Sequence, residues 1–112
     1  MINRASISED EVQKALDYLR DHAGEAAQAR ANRLHLEDYL KVIKANIMRE
    51  NQLLPLGAQE REAYADPRYA AHLEVIKQAI EMDEKHRFLL EAAKAKLDCW
   101  RTLMATERAH KI

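Results

Sequence analysis

The sequence after Asp66-Pro67 contains no further glycine or proline. Asp66 is a good N-cap residue, and proline is favoured at the first position of a helix, so this pair predicts a helix start. We expect one helix over residues 67–109, which at 1.5 Å per residue is roughly 65 Å long. A compact chain of this size has a diameter of only roughly 35 Å, so such a helix projects beyond a compact monomer.

The composition excludes most alternatives to an all-helical fold. Two glycines and two prolines are too few for the turns of a β-sandwich or barrel, and they exclude a glycine-rich phosphate loop. A single cysteine excludes an internal disulfide framework and a multi-cysteine zinc site. No apolar run approaches the ~18–20 residues of a membrane span, and there is no signal-peptide pattern. We expect one soluble, cytoplasmic, all-α domain over residues 1–112, a bundle or hairpin of three or four helices.

The first helix is predicted over residues 9–23. Ser8 and Glu11 have the spacing of a capping box, in which each side chain accepts a hydrogen bond from the other residue's backbone. Gly24 predicts the end of this helix as a left-handed C-cap. The alternative is that Gly24 is only a weak position in a continuous helix, since one glycine costs about 1 kcal/mol against alanine.

The second helix is predicted over residues 25–49. Its apolar positions alternate by threes and fours, which is typical of a coiled-coil seam, and Arg33 interrupts that seam. We expect this helix to pair antiparallel with the long last helix, and the first helix to pack alongside. The seam consists of Ala26, Ala29, Leu36, Leu40, Ile43 and Ile47.

A break is predicted over residues 51–57, because Pro55 lacks a backbone N–H and Gly57 permits unusual backbone angles. We expect the three leucines of this loop to cap the core. A short helix is predicted over residues 58–65, between the loop and the long helix.

The two halves of the long helix have apolar stripes that point in different directions. Placed at 100° per residue, the two stripes differ by roughly 150°. Either the helix breaks near residues 83–87, or it stays straight and its halves pack against different partners. The lack of glycine and proline there favours the second explanation, with a second copy of the chain as the simplest partner. The first stripe contains Tyr69, Leu73, Ile76 and Ile80, and the predicted interface contains Leu89, Ala93, Leu97, Trp100, Leu103 and Met104.

Charge is unevenly distributed along the chain. The net charge is −1 overall, but residues 85–112 contain seven basic and three acidic side chains, a net +4. Most of these basic residues have an acidic residue three or four positions away. This spacing favours a row of ion pairs exposed to solvent over a surface that binds phosphates. If nucleic acid does bind, the expected residues are Lys94, Lys96, Arg101, Arg108 and Lys111.

Nothing in the sequence has the pattern of a catalytic or metal site. Asp83 and His86 have the i, i+3 spacing of di-metal helical bundles, but those bundles need a second such pair and further glutamates. Cys99 lies mid-helix beside Trp100, which fits a buried small hydrophobic residue better than an activated thiol. We therefore expect no enzyme activity, no cofactor and no metal.

The segment Tyr64-Ala65-Asp66-Pro67-Arg68-Tyr69, with Trp100-Arg101-Thr102 and Glu107-Arg108-Ala109, resembles small all-helical proteins of bacteriophages and prophages. The resemblance covers roughly residues 25–112, and the capped first helix is less typical of the group. That group has no agreed activity, so the resemblance implies an accessory role in a bacterial host cell and no site residues.

The predicted function is therefore non-catalytic. We expect a helical interaction protein that acts by protein–protein binding, as a homodimer or higher oligomer. One alternative is a nucleic-acid-associated factor for recombination or replication, and another is an inhibitor that binds and blocks a host defence enzyme. No membrane association is expected.

Overall fold

A computed structural model describes residues 7–111. Over this range the chain is 91% helical, with three helices and no strand, which confirms the all-α prediction. The helices are α1 (Glu9–Glu50), α2 (Leu56–Ala65) and α3 (Pro67–His110).

The capping box at the start of α1 is confirmed. The backbone N–H of Glu11 donates to Ser8 Oγ over 3.2 Å, and the N–H of Ser8 donates to Glu11 Oε2 over 3.2 Å. These two bonds satisfy N–H groups that have no partner within the helix. Three acidic residues in the first turn also interact favourably with the positive end of the helix dipole.

The predicted helix end at Gly24 is wrong, because α1 continues through this residue to Glu50. Gly24 has no positive φ angle, and a Cβ atom built on it would meet nothing within 4 Å. Gly24 therefore serves neither a left-handed turn nor a close packing contact. A single glycine costs about 1 kcal/mol, which the favourable residues on both sides outweigh.

The turn between α1 and α2 is shorter than predicted. The short helix begins at Leu56, two residues before the predicted start, because the Pro55 carbonyl accepts from the N–H groups of both Ala58 and Gln59 at 3.0 Å. The Gln59 side chain also donates to the Leu54 carbonyl over 2.8 Å and holds the turn against the helix.

The three leucines of the predicted loop do not cap the core, contrary to expectation. Leu53 is 98% exposed, Leu56 is 67% exposed, and Leu54 is also exposed. The short turn and the first residue of α2 therefore leave these side chains in solvent.

The start of α3 is confirmed and its end lies one residue beyond the prediction. Asp66 Oδ1 accepts the backbone N–H of Arg68 over 2.8 Å, as an N-cap does. The helix is continuous through residues 83–87, so no break occurs there.

The chain divides into two compact units. Within the described range, unit 1 contains residues 7–26 and 85–111, and unit 2 contains residues 27–84. Each unit therefore has its own stretch of α1 and of α3, and unit 2 also contains α2. The predicted arrangement with a separate first helix packed alongside is wrong, since the first and second predicted helices are one helix.

The helices of unit 2 run antiparallel. Glu50 near the end of α1 pairs with Arg68 near the start of α3, whereas Arg33 pairs with Asp83 further along. At the first pair, Arg68 donates to both Glu50 oxygens at 3.0 and 2.6 Å, and it also bonds Asp66. These bonds lower the pKa of the Glu50 and Asp66 carboxyls, and the side-chain hydrogen bond with Arg68 is the largest cause for each.

The prediction that the two halves of α3 pack in different directions is wrong, because its least exposed residues follow one continuous stripe. The least exposed positions of α3 alternate in steps of three and four, which is a period of 3.5 residues. Glu84 and Leu103, each next to one of these positions, are also half-buried. We call these positions, with their counterparts on α1, the seam. On α1 the seam is Val12, Ala15, Leu19, His22, Ala26, Ala29, Arg33, Leu36, Leu40, Ile43 and Ile47. On α3 the seam is Tyr69, His72, Ile76, Ala79, Asp83, His86, Leu90, Ala93, Leu97, Trp100 and Met104.

The apparent change of direction has two physical causes. A stripe of period 3.5 drifts by about 20° per seven residues when it is plotted at 100° per residue, which gives roughly 70° between the two halves. The rest of the predicted difference in direction comes from apolar residues beside the seam. Leu73 and Ile80 directly follow seam residues, whereas Leu89 and Leu103 directly precede them, so the two halves are displaced to opposite sides of the seam. The change of direction therefore gives no argument for a second chain.

Candidate interaction surfaces

The seam of unit 2 contains a charged pair. Arg33 Nε lies 3.1 Å from Asp83 Oδ2, and the side chains are only 21% and 12% exposed. The contact is ionic: Arg33 Nε is buried and makes no hydrogen bond of acceptable angle. Glu37 and Glu84 lie further away, with nitrogen–oxygen distances of 3.8 and 4.0 Å to the same guanidinium.

This pair explains two features that the sequence alone left unconnected. Arg33 interrupts the seam of α1, and Asp83 occupies a seam position on α3. A buried charge pair is weak evidence for stability, but a polar residue in a coiled-coil seam fixes the register of the two helices. We assign the pair this structural role and no chemistry.

A histidine adds a second polar contact to the seam of unit 2. His72 Nε2–H donates to the Leu36 carbonyl over 2.7 Å, and the His72 ring lies 5.8 Å from that of Tyr39. A carbonyl that already accepts within the helix uses its second lone pair here. The contact positions α3 against α1.

The predicted interface residues lie in unit 1, and most of them are on its seam. Ala93, Leu97, Trp100 and Met104 are half-buried seam residues, and Leu103 beside them is also half-buried. Packing within one chain accounts for all of that burial. Their assignment to an intermolecular interface stays a prediction.

Leu89 is the exposed member of the predicted set, and it lines a cleft in unit 1. The cleft has a volume of about 270 Å³ and a mainly apolar lining. Ala93 lines it as well, and a lysine from each helix borders it. The lining residues are Lys14, Ala15, Tyr18, Leu89, Ala92, Ala93 and Lys96.

A second cleft, near the end of α3, combines predicted interface residues with predicted nucleic-acid residues. Its volume is about 360 Å³. The only tryptophan therefore lies beside three of the five predicted cations, with one glutamate among them. The lining residues are Trp100, Arg101, Met104, Glu107, Arg108 and Lys111.

The predicted ladder of ion pairs along α3 is only partly present. Arg87 pairs with Glu91 at 3.1 Å, and Arg101 approaches Asp98 at 3.9 Å. Five other cations between residues 85 and 111 are exposed and make no ion pair with any residue between 7 and 111. These five are Lys85, Lys94, Lys96, Arg108 and Lys111.

The described part of the chain has few buried apolar side chains. Six apolar residues are buried and three of them are alanines, whereas 14 large apolar residues are exposed. Ile47 is the one large side chain that is almost fully enclosed. The buried six are Val12, Ala15, Ile47, Ala63, Ile76 and Ala79.

The candidate metal and thiol residues of the sequence have other surroundings in the structure. Between residues 7 and 111 there is no group of three or more side chains suited to hold a metal ion. Asp83 of the predicted Asp83/His86 spacing pairs with Arg33. Cys99 is exposed, so the expectation that it is a buried small residue is wrong. No helix of the described residues has the length and hydropathy to cross a bilayer.

No family model matches the chain, and neither a curated protein nor a solved structure matches it. The resemblance to phage proteins therefore stays a prediction.

Sequence reasoning missed two features of these surfaces. It placed the turn leucines in the core, although a turn of this length cannot bring them back onto the seam. It also treated Arg33 and Asp83 separately. A heptad plot of both helices would have found the second feature, since both residues fall on seam positions.

Proposed function

We propose that the protein is a non-catalytic helical interaction protein that acts by protein–protein binding as a homo-oligomer. The observation that supports this is the imbalance between six buried apolar side chains, half of them alanines, and 14 large exposed ones. Exposed leucines occur singly on many monomers, but so small a core is unusual for a chain of this size. A second chain provides the burial that one chain lacks.

The magnitude of the effect supports assembly. Burial of apolar surface contributes about 25 cal/mol per Å², so each large side chain taken from half-exposed to buried adds on the order of 1 kcal/mol. Four or five such side chains per chain, in a two-fold contact, supply enough to offset part of the cost of association.

The test is the molar mass of the wild-type protein in solution, measured by light scattering between 5 and 200 µM, roughly the range in which weak assemblies dissociate. We expect a mass of at least two chains at the upper concentrations. A mass of one chain throughout this range would refute the proposal. Circular dichroism at 222 nm, recorded on the same samples, establishes that the helices are intact.

A second candidate function is nucleic-acid binding, favoured by one observation. Three of the five predicted cations line the cleft that contains Trp100, and Arg108 and Lys111 have no ion-pair partner among the described residues. Aromatic rings stack on bases and cations contact phosphates in sites that bind single strands. Only one aromatic residue lines this cleft, which is why the candidate ranks second.

Trp100 provides the assay for this candidate, because it is the only tryptophan. Binding of a single-stranded oligonucleotide should quench its fluorescence. With three phosphate contacts, a rise from 50 to 200 mM salt should weaken binding about 20-fold. The double variant Arg108→Ala/Lys111→Ala should bind more weakly, whereas the control Lys41→Ala/Lys77→Ala should not. No binding at 50 mM salt would eliminate the candidate.

A further inference from the structure

The turn between α1 and α2, together with the first residue of α2, presents three leucines to solvent. Leu53 is 98% exposed, Leu56 is 67% exposed and Leu54 is 41% exposed. They lie within residues 51–59, the longest stretch of the chain without a charged side chain. Charged residues make up 33% of the chain, so about three of these nine positions would carry a charge at the average frequency. We call the three leucines the leucine tip.

The exposure of the leucine tip is unusual within this chain. Between residues 7 and 111, the two most exposed large apolar side chains are Leu53 and Leu56, and both belong to the tip. Single exposed leucines are ordinary on protein surfaces, whereas several adjacent ones mark a binding surface. The leucine tip is therefore the apolar surface that gains most from a partner.

The cleft of unit 1 matches the leucine tip in chemistry and in size. Five of its seven lining residues are apolar, and three of these five are alanines, whose small side chains leave room for those of a partner. A leucine side chain occupies roughly 100 Å³ at the packing density of protein interiors. The cleft volume of about 270 Å³ therefore holds two of them. Leu89 and Ala93 of the predicted interface are among the residues that line it.

The charges beside the two surfaces are opposite in sign. Lys14 and Lys96 border the cleft, and no acidic residue lines it. Beside the leucine tip, Glu60 lies four residues after Leu56 and hence on the same face of α2. Glu60 is exposed and forms no ion pair with any residue from 7 to 111. The neighbouring cation, Arg61, lies about 100° further around the helix. The tip and the cleft are therefore complementary in charge as well as in shape.

A second copy of the chain is the occupant that these observations select, because one chain has both surfaces. Leu53 is 98% exposed, so the tip does not occupy the cleft of its own chain. A contact between two different surfaces leaves one tip and one cleft for a further contact, which either closes a ring or extends the assembly. The cleft near the end of α3 suits leucines less, since four of its six lining residues are charged.

We propose that the leucine tip of one copy packs into the unit 1 cleft of another copy, with Glu60 facing Lys14 and Lys96. This inference rests on the proposed homo-oligomer and specifies the two surfaces that form it. The contact is small, and small interfaces correspond to dissociation constants in the micromolar range or weaker.

Two single substitutions test the two surfaces separately. Leu53→Glu places a charge on the tip, and Ala92→Glu places one in the cleft, both at exposed positions. The matched controls are Leu73→Glu and Ala95→Glu, which are also exposed and lie outside both surfaces. Light scattering up to about 200 µM should show assembly at least about tenfold weaker for the first two variants and unchanged for the controls. Circular dichroism at 222 nm should show equal helix content in all four.

Disulfide trapping identifies which surfaces meet. Cys99 is exposed, so all chains carry Cys99→Ser. A Leu53→Cys chain is mixed under mild oxidation with an Ala92→Cys chain that carries an affinity tag, and the tag separates mixed dimers from dimers of one variant on a gel. A disulfide needs Cβ atoms about 3.8 Å apart, so a tip seated in the cleft should form the mixed dimer at least about tenfold faster than with Ala95→Cys.

The remaining outcomes separate this inference from the proposed function. If the wild type and all four glutamate variants assemble alike, the tip and the cleft are not the interface, but the homo-oligomer stands. A loss of assembly in only one of Leu53→Glu and Ala92→Glu overturns the proposal, and so does equal trapping with Ala92→Cys and Ala95→Cys. A wild type that is monomeric at about 200 µM refutes the oligomer itself. A monomer that captures another protein only with an intact leucine tip assigns the tip to that protein and overturns the proposal.

Discussion

The charged pair in the seam gives the most demanding prediction about stability. Breaking a fully buried ion pair by removing one partner typically costs 3–5 kcal/mol. Arg33 and Asp83 are 21% and 12% exposed, so water solvates part of any charge left behind and the lower end applies. We expect Arg33→Leu to lower the free energy of unfolding by about 3 kcal/mol, because Asp83 then has no cation beside it.

The reverse substitution should cost less. In Asp83→Leu, the Arg33 guanidinium keeps Glu37 and Glu84 at 3.8 and 4.0 Å, so part of its charge stays compensated. We expect a loss of about 2 kcal/mol. The double variant Arg33→Leu/Asp83→Leu should lie within about 1 kcal/mol of the wild type, since it removes both desolvation penalties and adds apolar contacts. The two single effects are therefore strongly non-additive.

Urea unfolding followed at 222 nm measures these differences, at one fixed protein concentration because assembly changes apparent stability. With an m-value of about 1.5 kcal/mol/M, a loss of 3 kcal/mol lowers the midpoint by about 2 M. The control is Lys14→Gln, which removes an ion pair of the same 3.1 Å length whose partners are both 76% exposed, and it should cost under about 0.5 kcal/mol. The reasoning is refuted if Arg33→Leu costs no more than this control, or if the double variant loses the sum of the single effects.

Three further predictions concern the helix ends and the glycine of α1. Gly24→Ala should stabilise the protein by about 0.5–1 kcal/mol in the same urea assay, because φ is not positive and a Cβ atom has open space; a loss of stability would contradict this. Ser8→Ala should cost about 1 kcal/mol, as the loss of an N-cap does, and Ser8→Gly should cost less. The lowered pKa values of Glu50 and Asp66 mean that their contribution is present above the unfolded pKa near 4 and is lost as the pH falls through the lower folded values. Thermal melts from pH 6 to pH 2 should therefore show a smaller acid-induced loss for Arg68→Ala than for the wild type, and equal slopes would show that these pairs do not contribute.

The helix signals of the sequence predicted the elements well where local chemistry decides them. The capping box at Ser8 and the Asp66-Pro67 start both act through bonds to the nearest backbone groups, so spacing alone reveals them. Gly24 was misjudged because a glycine is compatible with a helix and only its neighbours decide whether the helix continues.

The candidate surfaces were less predictable, because exposure depends on the partner helix. The turn leucines were expected inside and lie outside, and Cys99 was expected to be buried and is exposed. In each instance the residue type favoured burial, but its position relative to the seam determined the result.

By itself, the sequence determined that this protein is all-helical and where its first and last helices begin, because turns and caps are encoded by short-range patterns. Only the tertiary structure decided that α1 is one helix, that Arg33 meets Asp83, and that Leu53, Leu54 and Leu56 are exposed. Those features depend on which residues of two distant segments lie opposite each other. That register is fixed by packing between the helices, and no stretch of either helix contains it alone.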